Sequence, residues 1–136
     1  MKIKVAATQM SCDWEIDNNL KKAIHLIEEA SEQGANIILL QELFQTPYFC
    51  IQYDEEVFKL AQPFEKNTLL AKMSEVAKKH KVVLPISFFE KDNNAYFNSI
   101  AVIDADGKIL GKYRKSHIPD GPGYLEKYYF NPGDTG

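Results

Sequence analysis

Within its first 41 residues the chain runs through an apolar stretch, a helical pattern and a second apolar stretch. Ile3 to Gln9 is a mostly apolar run of β-branched and small residues, which suits a strand buried on both faces. Asp17 is placed to cap a helix that runs through Gln33. Leu20, Ala23, Ile24, Ile27 and Ala30 recur at helical spacing and form its buried face, with Glu28, Glu29 and Glu32 on the remainder. Gly34 fits the left-handed position that ends such a helix. Ile37 to Gln41 then reads as a second short strand. A strand–helix–strand unit with joins this short crosses over right-handed into parallel pairing. The chain is therefore read as α/β.

The remainder continues that order. Thr46 to Pro63 is irregular and rich in aromatics, as expected of loops with a short helix. Asn67 or Thr68 can cap a second helix, with Leu69, Leu70, Met73, Val76 and Ala77 on its core face. Its end at Lys78-Lys79-His80 places positive charge at a helix C-terminus. Val82 to Phe89 and Tyr96 to Asp104 read as strands. Asp104-Ala105-Asp106-Gly107 is a turn signal, and Lys108 to Arg114 is a fifth strand paired back as a hairpin. From Ser116 onward the prolines and glycines predict a loop. There is no internal repeat. Five strands and two helices in this order leave an unpaired sheet edge and an uncovered face.

Composition narrows the function class. A length of 136 residues fits one domain, with 45% hydrophobic and 26% charged residues as in soluble globular proteins. A net charge of −3 offers no basic face for nucleic acid. No apolar run approaches the ~18 residues of a membrane span. The first residues lead straight into a strand pattern without a signal-peptide core, so a cytoplasmic location is expected. Cys12 and Cys50 have no metal-ligand spacing, and His25, His80 and His117 show no paired pattern. No metal or cofactor is expected.

Two charged residues stand at strand ends. Glu42 follows the second strand at its carboxyl end, where open α/β sheets place ligand sites. A carboxylate there, beside Leu43 and Phe44, is expected to be partly withdrawn from water, as a general base needs. Read alone, it is equally a surface glutamate that ends a strand. Lys115 closes the fifth strand. Strand alternation puts Lys112 and Arg114 on one face, and Tyr113 and Lys115 on the other. A lysine so placed can steady a developing oxyanion, although by itself it also reads as one solvated charge in a basic run.

Taken together these segments carry more. Val5-Ala6-Ala7-Thr8-Gln9-Met10, Gln41-Glu42-Leu43-Phe44 and Tyr113-Arg114-Lys115-Ser116-His117 resemble the carbon–nitrogen hydrolase (nitrilase) superfamily, whose triad is glutamate, lysine and cysteine. The resemblance covers essentially all of residues 1–136, as the N-terminal portion of a typical member. It implies a four-layer α-β-β-α sandwich, present here incompletely. It makes Glu42 the general base and Lys115 the oxyanion-stabilising lysine. Glu126, in Gly123-Tyr124-Leu125-Glu126-Lys127, becomes the assisting second glutamate, although it also reads as a loop surface charge. The flanking segments Gln45-Thr46-Pro47-Tyr48-Phe49-Cys50 and His117-Ile118-Pro119-Asp120-Gly121-Pro122-Gly123-Tyr124 are similar to a branch that hydrolyses N-carbamoyl amines.

The expected reaction is then hydrolysis of a non-peptide C–N bond. The foremost substrate is N-carbamoylputrescine, giving putrescine, carbon dioxide and ammonia in polyamine biosynthesis. Tyr48, Asp120 and Tyr124 are candidate contacts for the cationic amine tail, although the tyrosines would equally pack the loop. A homo-oligomer is expected of the full-length form. The family's nucleophilic cysteine has no counterpart after Lys115. Cys50 reads as a small buried hydrophobe rather than a substitute. The chain alone is therefore expected to be inactive. The alternatives are a non-catalytic chain that docks on a partner, and an amidase for another N-carbamoyl amine or amino acid.

Overall fold

The first crossover sets the frame. The computed structural model describes residues 2–136. Strand β1 (Val5–Ala7) pairs in parallel with β2 (Ile37–Leu39), and helix α1 (Ile16–Glu32) crosses between them. The helix starts differently from the sequence expectation. Glu15 precedes it without a side-chain cap, and Asp17 lies inside the first turn. The polar work at this end is done by buried Asn19. Its Nδ2 donates to the carbonyls of Asp13 (2.6 Å) and Gln45 (2.9 Å), and its Oδ1 accepts from Asp13 N at 3.0 Å. Gly34 ends the helix at φ +84°, as its sequence position implied.

Helix α2 (Thr68–His80) is capped by Asn67, whose Oδ1 accepts from Leu70 N at 3.1 Å. All five residues assigned to its core face are buried. Strands β3 (Leu84–Asp92), β4 (Ala95–Ile103) and β5 (Ile109–Arg114) form an antiparallel meander. Asn93, at φ +52°, allows the tight β3–β4 turn. Ile38 N donates to Val83 O at 3.0 Å and Val83 N donates to Asn36 O at 2.8 Å, which sets β3 beside β2. The two-stranded β1-β2 sheet and the three-stranded β3-β4-β5 sheet are thus joined side by side through one parallel bridge, Ile37 to Val83.

Both helices cover one face of this sheet. Ala23 and Ile27 of α1 and Leu70, Met73 and Ala77 of α2 bury Ile38, Leu84, Ile86, Phe88, Ala101 and Ile103. The opposite face carries Leu39, Ile100, Val102 and Tyr113, exposed or half-exposed. This is the uncovered face the element order implied. It also corrects the reading of β1. Val5 is 70% exposed, because only one side of the strand has helices against it.

The second departure lies after Ser116. A short helix, α3 (Glu126–Tyr129), forms where a Pro/Gly loop was expected. Tyr129 and Phe130 bury against Phe49 and Phe89 in a second apolar cluster. Packing, rather than local propensity, orders this turn. Beyond it, Asn131 to Thr135 straps the ends of β4 and β5. Asn131 N donates to Tyr96 O, Gly133 N donates to Lys115 O, and Arg114 N donates to Thr135 Oγ1, each at 2.8 Å. A Cβ on Gly133 would lie 2.0 Å from Arg114 O. Gly133→Ala must therefore lift the strap off β5. It is expected to lower stability by about 2 kcal/mol, read as a shifted urea midpoint. An unchanged midpoint would show that the strap contributes no stability.

Candidate active site

Glu42 stands two residues beyond Ile38-Leu39-Leu40, and the backbone turns sharply after it. Leu43 adopts φ +52°, a left-handed conformation that costs a non-glycine residue about 1 kcal/mol or more. Two features offset it. Leu43 N donates to Ser87 Oγ on β3 at 3.0 Å, and the Leu43 side chain is buried in the second apolar cluster. The turn leaves the Glu42 side chain on the uncovered sheet face. There it lines an open groove with Leu39, Ser87, Asn98, Tyr113 and Lys115. Its side chain is 48% exposed, so the carboxylate is only half withdrawn from water. Those two neighbours turn into the core, and nothing among the described residues roofs the carboxylate.

Lys115 directly follows β5, with its backbone held on both sides. Its N–H donates to Asn98 O at 2.9 Å, and its carbonyl accepts from Gly133 N. Tyr113 shares its face, while Lys112 and Arg114 point the other way to Glu90, as the alternation required. Lys115 Nζ donates to Glu42 Oε1 at 3.2 Å and to Glu126 Oε2 at 2.8 Å. The three residues, spread over 84 positions of sequence (Glu42 to Glu126), meet at one ammonium group.

The two carboxylates are not equivalent. The Glu126 side chain is only 4% exposed, and both its oxygens accept hydrogen bonds, from Lys115 and from Tyr48 OH (2.6 Å). Glu42 Oε1 accepts from Lys115 and from Asn98 Nδ2, the latter at 2.5 Å. Glu42 Oε2 has no hydrogen bond among the described residues. One carboxylate is thus committed and one has an oxygen open to a proton. Burial disfavours the charge on Lys115, but the hydrogen bond to Glu126 and the charges of Glu42 and Glu126 outweigh it. Its pKa lies above the ordinary lysine value. The group is a fixed cation facing an open groove, suited to steadying negative charge on a bound oxygen.

Residues 4–135 match the carbon–nitrogen hydrolase family. The chain belongs to that family. It is 54% identical over 134 residues to an N-carbamoylputrescine amidase of Solanum lycopersicum, covering 98% of this chain and 45% of that protein. A citrullinase of Francisella tularensis is 48% identical over 134 residues, with 98% and 47% covered. A crystal structure of a carbon–nitrogen hydrolase from Helicobacter pylori superposes with a TM-score of 0.91 at 39% identity, over 98% of this chain and 46% of that one. The chain thus spans about half the length of its relatives, and its α/β layers are an incomplete version of the fold.

Within this carbon–nitrogen hydrolase chain the remaining sequence candidates separate. Tyr48 joins the cluster, through Glu126. Asp120 and Tyr124 sit exposed on the loop before α3, and neither lines the groove. Cys50 is fully buried, and burial, with the nearby Glu126 charge, pushes its thiol up to about 12. A thiol so protonated is a poor nucleophile. Cys12 donates its thiol to Phe44 O at 3.3 Å. His117 is exposed, and the Lys115 ammonium has its partners elsewhere. Sequence reasoning missed Asn98, Ser87 and the strained Leu43. Asn98 carried a faint signal, an amide in the apolar strand run Tyr96 to Ile103. Among the described residues no group of three His, Cys, Asp or Glu side chains could hold a metal ion, and no helix is long and apolar enough to cross a membrane.

Proposed function

We propose that residues 1–136 supply the glutamate–lysine half of an amidohydrolase site that acts on N-carbamoylputrescine. The observation that carries this is the Lys115 ammonium held between Glu42 at 3.2 Å and Glu126 at 2.8 Å. The similarity to N-carbamoylputrescine amidases supports the substrate. In this reading a cysteine thiol beyond these residues completes the triad. Glu42 Oε2 takes the thiol proton, and the thiolate attacks the carbamoyl carbon. Lys115 steadies the tetrahedral oxyanion. The intermediate expels ammonia, which takes a proton back from Glu42, and a thioester remains. Water activated by Glu42 attacks the thioester and frees the thiol. The carbamate released loses carbon dioxide to leave putrescine, a product of polyamine biosynthesis. Glu126 stays ionised and holds Lys115. No metal or organic cofactor enters these steps. The reading places the enzyme in the cytoplasm, as a homo-oligomer at full length. It leaves a chain of these residues alone without turnover.

The test is ammonia release by the protein in the form its source makes, with N-carbamoylputrescine, citrulline and an ω-amide offered in parallel. The expected result is a kcat/KM for N-carbamoylputrescine about tenfold or more above the others. A higher value for citrulline would move the substrate to an N-carbamoyl amino acid. One structural feature favours a second reading, a non-catalytic chain that docks on a partner. Leu39, Leu110 and Tyr113 are exposed on one sheet face and edge. No ammonia from any substrate, with an intact mass of 15.5 kDa, would select it.

A further inference from the structure

Glu126 is the buried member of the cluster, and it is the nearer of the two carboxylates that receive Lys115. A glutamate's last torsion is soft, so a carboxylate held at one oxygen can swing. Here the second oxygen is pinned as well. Tyr48 OH donates to Oε1 at 2.6 Å while Lys115 donates to Oε2 at 2.8 Å. Tyr48 belongs to the segment that leaves Glu42, and Glu126 opens α3 on the returning chain. The phenol therefore ties together two segments 78 residues apart. Leu125 N, donating to Cys50 O at 2.6 Å, clamps the same two segments through the backbone.

We propose that Tyr48 is a positioning residue, whose hydroxyl fixes Glu126 and through it aims the Lys115 ammonium at Glu42 and the groove. Its one proton is committed to Glu126, so it is not a donor to a substrate carbonyl. Removing the hydroxyl leaves one oxygen of a 4%-exposed carboxylate without its donor. Glu126 then has a reason to turn, and Lys115 loses the fixed acceptor that opposes its burial. The inference rests on the amidase reading only for turnover. Its effect on Lys115 is independent of any substrate.

The test reads Lys115 directly, by NMR titration of the protein carrying 13C-labelled lysine. In Tyr48→Phe, which keeps the ring and its packing, the Lys115 midpoint is expected to move down. Glu126→Gln should move it down further, and Tyr48→Phe in the Glu126→Gln background should then add nothing. If Tyr48→Phe does not fold, the reciprocal measurement on Glu126→Gln decides. Burial and the hydrogen bond to Glu126 hold the Tyr48 phenol above its ordinary range, so its ring-carbon titration should drop toward that range when the Glu126 charge is gone. For turnover, kcat should fall about 10- to 100-fold in Tyr48→Phe with KM little changed. A Lys115 midpoint unmoved by Tyr48→Phe, an equal shift in the Glu126→Gln background, or a Tyr48 titration indifferent to Glu126→Gln would each overturn the proposal. An inactive wild type that still shows the Lys115 shifts would fail the amidase reading alone.

Discussion

Lys115→Met is expected to lower kcat/KM for N-carbamoylputrescine by about 1,000-fold or more in the full-length protein. Methionine keeps most of lysine's apolar stem and removes the ammonium, with its charge and its donors to Glu42 and Glu126. In the proposed reaction the ammonium is the side chain placed to meet the oxyanion, so its loss falls on the transition state rather than on substrate capture. The change should therefore appear in kcat, with KM moving little. A second loss accompanies it. Glu126 is buried, and without Lys115 its charge is left with Tyr48 alone. Removing one partner of a buried ion pair costs about 3–5 kcal/mol. Kinetics must therefore be read well below the melting transition. A Lys115→Met protein that folds and keeps its kcat would remove lysine from the mechanism.

The second large effect lies on the other face of β5. Glu90 is buried and receives Arg114 through both oxygens, at 2.7 and 3.0 Å, with Ser99 at 2.5 Å and Lys112 also donating. Arg114 also pairs with Asp92 at 2.7 Å and Asp134 at 3.0 Å, and stacks 3.9 Å from the Phe97 ring. Burial alone would raise the Glu90 pKa, but the hydrogen bonds from Arg114, Lys112 and Ser99 overcome it and hold the carboxyl at about 2. Arg114→Leu leaves that charge short of its main partner and is expected to cost about 3–5 kcal/mol. Because the folded pKa lies below the unfolded one, this stability is fully present above about pH 5 and fades as pH falls toward 2. The gap in urea midpoint between wild type and Arg114→Leu should thus be widest near pH 6 and shrink by pH 3. A gap that ignores pH would mean the lost term is packing on Phe97 rather than charge.

The parts of the fold and site that are legible in the sequence share one property, a local pattern with one physical solution. The spacing of Leu69, Leu70, Met73, Val76 and Ala77 admits one buried helix face, and Asn67 is the cap it needs. Alternation along β5 sent Lys112 and Arg114 to Glu90 and left Lys115 beside Glu42. Glu42 and Lys115 were visible as charges placed at strand ends, and their pairing came from the family resemblance. What was illegible depends on distant partners. Helix α3 forms because Tyr129 and Phe130 find Phe49 and Phe89, which no local pattern encodes. Asn98 stands out only as an amide in an apolar strand, and its partner is not apparent until β4 is laid beside Glu42. The left-handed Leu43 is held by Ser87, a partner 44 residues away. Val5 to Ala7 has the composition of a doubly buried strand, but burial is set by what packs on it, and here one face is open.

The most direct test joins residues 1–136 to the second half of the Solanum lycopersicum relative and measures ammonia release from N-carbamoylputrescine, with and without Lys115→Met. The two proteins are 54% identical over the shared segment, so the groove residues enter a closely matched setting. Steady ammonia release is expected from the joined protein, with its loss, by about 1,000-fold, on Lys115→Met. Release that persists unchanged in the Lys115→Met form would contradict the central claim that these residues supply the glutamate–lysine half of the site.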